Sequence, residues 1–201
     1  EDYHKLDKLS KYFTENFTLH TKSGYTKLHK DEKNNKDDFK ITFVDTGQET
    51  LPGERILKIK DLIPEDDEDF MVTYGDGVAD INIKELVKFH KKQDTIGTVT
   101  GVHPRSKYGL LLTDKNNIVQ KFIVKAILKE CVIGGFMVFK REFLKYLRKK
   151  EFEHRAIKRL IKLRQLAVYN LNGFWHSMDT YPDVDNLNRL WIEDPKWKVW
   201  R

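Results

Sequence analysis

The run Val72-Thr73-Tyr74-Gly75-Asp76-Gly77-Val78-Ala79-Asp80 restricts this chain more than any other stretch: an apolar strand stops on an acid set between two glycines. In an open α/β sheet, ligands gather outside the carboxyl ends of the strands. A carboxylate at such an end is well placed to hold a metal ion against a phosphate, with Gly75 and Gly77 letting the backbone bend and approach a ligand closely. The competing reading is a plain strand followed by an Asp-Gly turn.

The surrounding pattern favours an α/β fold. Leu6, Leu9, Phe13 and Phe17 predict an amphipathic helix from about Asp2 to Thr18, followed by a polar loop or hairpin tip over Thr21 to Asp38. Phe39, Ile41 and Phe43 alternate into the turn Val44-Asp45-Thr46-Gly47. Gly53 to Leu62 reads as a helix stopped by Pro64, and Phe70 to Tyr74 as a strand. Asp80 is placed to cap a helix carrying Ile83, Leu86, Val87 and His90. Further strands are expected over Thr95 to Val102, Val132 to Phe139 and Ala167 to Leu171. Helices are expected over Arg141 to Leu147 and around Ile157 to Leu163. Leu110 to Leu112 and Ile118 to Phe122 flank Asp114-Lys115-Asn116-Asn117 and predict a hairpin. Strands alternating with helices imply a mostly parallel, Rossmann-like sheet with helices on both faces and a small β-rich insertion. At 201 residues, with no linker or repeat, one domain over residues 1–201 is expected.

Composition narrows the function classes. The net charge of +6 permits an anionic partner, but bases and acids are mixed, as in Lys30-Asp31-Glu32-Lys33, so no nucleic-acid stripe forms. No apolar run approaches membrane-spanning length and Glu1 to Ser10 has no signal-peptide core, so a cytoplasmic protein with no membrane partner is expected. The single cysteine, Cys131, excludes an internal disulfide and a cysteine zinc site. Trp191, Trp197 and Trp200 crowd the tail, where they either fold back on the domain or support a homo-oligomer.

Several segments together are similar to one family: Val44-Asp45-Thr46-Gly47, Gly53-Glu54-Arg55, Tyr74 to Asp80, Lys107-Tyr108-Gly109, Gly134-Gly135-Phe136 and Gly173-Phe174-Trp175-His176-Ser177-Met178-Asp179-Thr180. In order and spacing they resemble the sugar-1-phosphate nucleotidyltransferases, and most closely their cytidylyltransferase branch. The resemblance implies that a sugar-1-phosphate oxygen attacks the α-phosphorus of a nucleoside triphosphate, here CTP, and that pyrophosphate leaves. Both reactants are anions, so such a site must neutralise charge and align the two groups more than it must supply a base. The resemblance implies Mg²⁺ as cofactor, held by Asp76 and Asp179, which are the catalytic and metal-binding candidates. It also implies that Thr46, Arg55 and Gly75 contact nucleotide sugar and that Lys125 meets the sugar phosphate. Taken singly, Asp179 also reads as a loop acid or a cap of the helix after it, Arg55 and Lys125 as surface cations, and Thr46 and Gly75 as turn formers.

Two departures stand beside the resemblance. The family's opening strand and GGxGTRL-like loop are not matched, so the first βαβ portion is expected to be missing from residues 1–201. In the expected sugar pocket, Val124-Lys125-Ala126 stands where the family has Glu-Lys-Pro, and Ile133 stands where an asparagine is expected. A family Glu-x-x-Pro is here Glu153-His154-Arg155-Ala156. Val and Ile cannot orient sugar hydroxyls by hydrogen bonding. Two functions therefore stay open at the level of sequence: an active enzyme, or a non-catalytic relative serving as a binding or assembly module.

Overall fold

The computed structural model describes residues 17–20, 25–28, 41–42, 44–151 and 153–199, which fall into two compact units, residues 1–50 and 51–201. In the first, β1 (Phe17–His20), β2 (Tyr25–Leu28) and β3 (Ile41–Thr42) form an antiparallel sheet in that order. The helix expected over 2–18 ends in a strand at Phe17 instead, where alternation along β1 and pairing with β2 override the helical spacing. The rest of that helix, most of the polar segment and the positions of Phe39 and Phe43 lie outside the described residues.

The second unit is built on a four-stranded sheet. In chain order it contains α1 (Pro52–Lys58), β4 (Asp69–Thr73), β5 (Gly77–Ala79), α2 (Ile83–Gln93), β6 (Gly97–Val102), β7 (Leu110–Thr113) and β8 (Val119–Ile123). These are followed by β9 (Val132–Lys140), α3 (Glu153–Lys162), β10 (Leu166–Asn170), β11 (Trp175–Ser177) and α4 (Tyr181–Glu193). The sheet order is β10-β6-β9-β4. The β10–β6 ladder is parallel, whereas β6–β9 and β4–β9 are antiparallel. Three strands thus share a direction, as expected, and β9 runs against them. The cause lies in the connection: β6 leads to β9 through the β7–β8 hairpin rather than a crossover helix, so the chain returns along the sheet reversed. That hairpin is the expected β-rich insertion.

Burial follows the pleat. β6, Gly-Thr-Val-Thr-Gly-Val, is buried along its whole length, as a central strand covered on both faces should be. Along β9, Met137 and Phe139 point into a core with Ile96, Val99, Phe143, Ala156, Ile157 and Leu160, against which Ile56 and Leu57 of α1 pack. Val138 points the other way, toward Ile81 and Leu86, with Val87 and Phe136 alongside. Helices therefore cover both faces: α1 and α3 one, α2 the other. Phe139 and Phe143 stack at 3.9 Å, and truncating a fully buried side chain such as Leu160 to Ala would cost about 2–5 kcal/mol.

Three local expectations are corrected. The residue capping α2 is Asn82, whose Oδ1 accepts from Glu85 N–H at 3.2 Å, while Asp80 Oδ1 is buried without a hydrogen-bond partner. Arg141–Tyr146 is a 3₁₀ segment rather than an α-helix, and the helix expected over Gly53 to Leu62 divides into α1 and a 3₁₀ turn, Lys60–Leu62. In the tail, Trp197 stacks on Phe174 at 5.5 Å and lies 6.1 Å from Trp191, so these two tryptophans fold back on their own chain. Trp200 lies outside the described residues.

Candidate active site

The site is organised by a two-stranded ribbon. β5 and β11 pair antiparallel with Ala79 opposite Trp175 and Gly77 opposite Ser177. Immediately beyond that last pair, the Met178 N–H donates to the Asp76 carbonyl at 2.8 Å. Asp76 and Asp179, separated by more than a hundred residues of sequence, are thereby delivered to the same end of one ribbon. Both are exposed. Asp76 follows the carboxyl end of β4, the strand position from which a ligand-binding acid was expected.

The Asp179 carboxylate is held through one oxygen. Oδ2 accepts from Ser177 Oγ at 2.9 Å and from the Lys107 ammonium at 3.2 Å. Ser177 first and Lys107 second hold the carboxyl below its ordinary pKa, so the group is ionised at neutral pH. Lys107 also lies 3.5 Å from Asp183 Oδ2, and its own pKa is raised, chiefly by the bond to Asp179. Asp183 serves the backbone: its Oδ2 accepts from the Thr180 N–H at 2.9 Å and from Thr180 Oγ1 at 2.7 Å, at the start of α4. Those bonds, the Thr180 hydroxyl first, lower its pKa. The helix after Asp179 is therefore capped by Thr180 and Asp183, which leaves Asp179 free of that duty.

The other expected residues lie on separate elements. Gly75 is exposed in the turn beside Asp76, and a Cβ there would meet nothing within 4 Å. Neither Gly75 nor Gly77 has positive φ, so the bend does not require glycine; what Gly75 contributes is open space. Positive φ belongs instead to Gly135, at +86°, packed against Tyr74. Lys125 is exposed, with φ of 53°, and its carbonyl accepts from Arg105 Nη1 at 3.1 Å. Ser106 N–H donates to Ala126 O at 2.7 Å, so the Lys125 loop lies against the segment that carries Lys107. Arg55 is exposed on α1. Thr46 belongs to the first unit and is buried, in a turn where Gly47 N–H donates to Asp45 Oδ1 at 2.8 Å.

Sequence reasoning missed Lys107, Ser177 and Asp183 as companions of Asp179. Asp183 had a local signal, the Thr-x-x-Asp pattern of a capping box. Lys107 stood in the family-like segment Lys107-Tyr108-Gly109, but nothing there pointed to Asp179, its partner 72 residues away.

Two carboxylates at one ribbon end could contribute to a divalent-metal site of sparse protein ligation. No cluster of three or more His, Cys, Asp or Glu suited to a metal occurs among the described residues, so an all-protein cage is not what this ribbon offers. Mg²⁺ ordinarily takes one or two carboxylates and completes its octahedron with water and substrate phosphates. An ammonium already resting on Asp179 Oδ2 marks that carboxylate as one a cation can reach.

Comparison with known proteins identifies the class to which this mixed α/β fold belongs. Residues 7–191 match the Nucleotidyl transferase family model, and the chain belongs to that family. It is 35% identical to a protein of Bacillus subtilis described as a probable glucose-1-phosphate cytidylyltransferase, over 98% of this chain and 79% of that one. It is 32% identical to the glucose-1-phosphate cytidylyltransferase of Salmonella typhi over 80% of this chain, a match that spans 63% of the Salmonella enzyme. Among solved structures, HddC from Yersinia pseudotuberculosis superposes with a TM-score of 0.56 at 16% identity, covering 79% of this chain and 70% of that one. At that identity the likeness concerns the fold. No helix among the described residues is long and apolar enough to cross a membrane.

Proposed function

We propose that the protein is a glucose-1-phosphate cytidylyltransferase, transferring CMP from CTP to glucose-1-phosphate to give CDP-glucose and pyrophosphate, in the cytoplasm and for surface polysaccharide synthesis. The observation that carries this reading is the ribbon that brings Asp76 and Asp179 together at one strand end, in a chain whose similarity to a described cytidylyltransferase spans 98% of its length. A phosphate oxygen of glucose-1-phosphate forms a bond to the α-phosphorus as the α–β bridging bond breaks, and pyrophosphate carries the electron pair away. Asp76 and Asp179 would hold Mg²⁺, which when bound supplies positive charge to the phosphate oxygens. Thr46, Arg55 and Gly75 are assigned to the nucleotide sugar and Lys125 to the sugar phosphate. Their work is to orient two anions for in-line displacement, where positioning and charge account for most of the rate.

Pyrophosphate release from CTP and glucose-1-phosphate, measured with the complete gene product and Mg²⁺, tests the assignment. Asp76→Asn and Asp179→Asn are each expected to lower kcat/KM by about 100-fold or more, the scale of losing one charge-stabilising group. Absence of release across several sugar phosphates and nucleotides rejects the enzyme and favours the assembly module. Wild-type rates in both variants reject the site.

A further inference from the structure

Lys107 occupies an unusual position for a surface lysine. Its Nζ lies between two carboxylates, 3.2 Å from Asp179 Oδ2 and 3.5 Å from Asp183 Oδ2. The two acids are not equivalent: Asp183 is fixed by its bonds to Thr180, whereas Asp179 is the acid assigned to the metal. The backbone beneath Lys107 is pinned. Buried Ser106 donates from Oγ to Tyr108 O at 2.7 Å and accepts from Tyr108 N–H at 3.1 Å, and Ser106 N–H donates to Ala126 O at 2.7 Å. The Lys107 side chain, by contrast, is 54% exposed, so a firm base carries a long cationic arm that can pivot in solvent.

A divalent cation arriving at Asp179 meets this ammonium already in place. Two cations on one carboxylate repel each other at nearly the distance at which each is attracted, so each weakens the other's hold on Asp179. Asp183 offers the displaced arm a second anchor without movement of the backbone. The segment that carries the arm is tied to the Lys125 loop, where Arg105 Nη1 donates to the Lys125 carbonyl at 3.1 Å. We propose that Lys107 is a positioning residue, the resident counter-ion that keeps the Asp179 carboxylate oriented until a divalent cation takes it, and that then turns toward the phosphate of the incoming substrate. This rests on the metal assignment made above for Asp179.

The test uses Mn²⁺ as the probe, its binding to the full chain read by electron paramagnetic resonance without nucleotide. Removing a competing surface ion pair should tighten Mn²⁺ binding in K107M by about 2- to 5-fold, the range that exposed pairs span. K107R should restore the wild-type affinity, and K107M should raise the KM for the sugar phosphate while thermal unfolding stays close to wild type. Equal or weaker Mn²⁺ binding in K107M overturns the proposal. D179N separates the two layers: if it abolishes Mn²⁺ binding while K107M leaves it unchanged, the metal assignment stands and the role of Lys107 falls. If D179N binds Mn²⁺ like the wild type, both fall.

Discussion

The indole N–H of Trp175 donates to the carbonyl oxygen of Gly134 across 2.8 Å. This bond joins β11 to β9 where the β6–β9 register shifts, and so fastens the ribbon carrying the two acids to the central sheet. Tyr74 N–H reinforces the junction by donating to Gly135 O at 3.2 Å. The site is thus held from both of its strands: β9 anchors the residue before Gly75-Asp76, and it anchors the strand leading to Asp179.

Trp175→Phe keeps an aromatic ring but removes the donor, leaving a partly buried carbonyl without this partner. The expected cost is about 1–3 kcal/mol of stability, read as a lower denaturant midpoint with unchanged slope. Because the ribbon also positions Asp76 and Asp179, kcat/KM should fall roughly 10-fold or more under conditions where the variant is folded. A variant that matches wild type in both respects would show that this bond is dispensable.

His90 supplies a pH dependence that belongs to folding. Its ring is fully buried, with Nδ1 2.8 Å from Thr98 Oγ1 and Nε2 3.4 Å from Asp69 Oδ1 without forming a hydrogen bond. Burial lowers its pKa below 6.5; Asp69 opposes that, while Lys140 and Lys91 add to it. The folded state therefore resists a proton that the unfolded state accepts. Stability is complete above the unfolded value of about 6.5 and is lost as pH falls from there toward the depressed folded value, at about 1.4 kcal/mol for each unit of depression. Melting temperature measured from pH 7.5 to 5 should show this loss in the wild type and less of it in His90→Gln. Asp69→Asn, which removes the opposing carboxylate, should extend it. Parallel curves for wild type and His90→Gln would refute the assignment.

How far the fold could be read from sequence depended on whether its determinants were local. β6 was legible because Thr98, Val99 and Thr100 are β-branched in an unbroken run, with Val102 just beyond Gly101, and such a strand suits burial on both faces. The β7–β8 hairpin was legible because Asp114 terminates one strand and bonds the turn itself, its Oδ1 accepting from Asn116 and Ile118 N–H at 2.9 and 3.0 Å. α2 was placed correctly, since Leu86 and His90 share a buried face. Its cap was not: Asp80 and Asn82 have equal chemical claims, and the choice is made by where the chain leaves β5 to meet Phe174, whose carbonyl accepts from Asp80 N–H at 3.1 Å. The reversal of β9 was likewise invisible, because it follows from what the insertion connects rather than from any residue in β9.

At the site, the sequence motifs proposed Asp76 and Asp179 as a pair, and pairing of β5 with β11 leaves both at one end of a single ribbon. The surroundings of Asp179 were not legible. Lys107 is one lysine among 37 basic residues, and only the folded loop over Ser106 aims it at a carboxylate. Nor did the sequence show which glycine the backbone requires: the bend was expected of Gly75 and Gly77, whose φ is not positive, whereas Gly135 has φ of +86°.

That difference yields a paired prediction. At Gly135 φ is +86° and a Cβ would sit 2.9 Å from Tyr74 Cδ2, so Gly135→Ala combines backbone strain with a clash at the base of the site. It should destabilise the protein by about 1–3 kcal/mol. At Gly75 φ is not positive and the added methyl meets open space, so Gly75→Ala should change stability by no more than about 0.5 kcal/mol. If nucleotide sugar approaches the backbone there, the same methyl occupies the ligand's space, and the KM for CTP should rise while the unfolding midpoint stays fixed. Denaturation curves and initial rates on the two variants separate the cases: Gly135→Ala moves the midpoint, Gly75→Ala moves KM. A Gly75→Ala enzyme with wild-type KM would remove Gly75 from the ligand-binding set, and a Gly135→Ala protein of wild-type stability would show that Tyr74 can yield without cost.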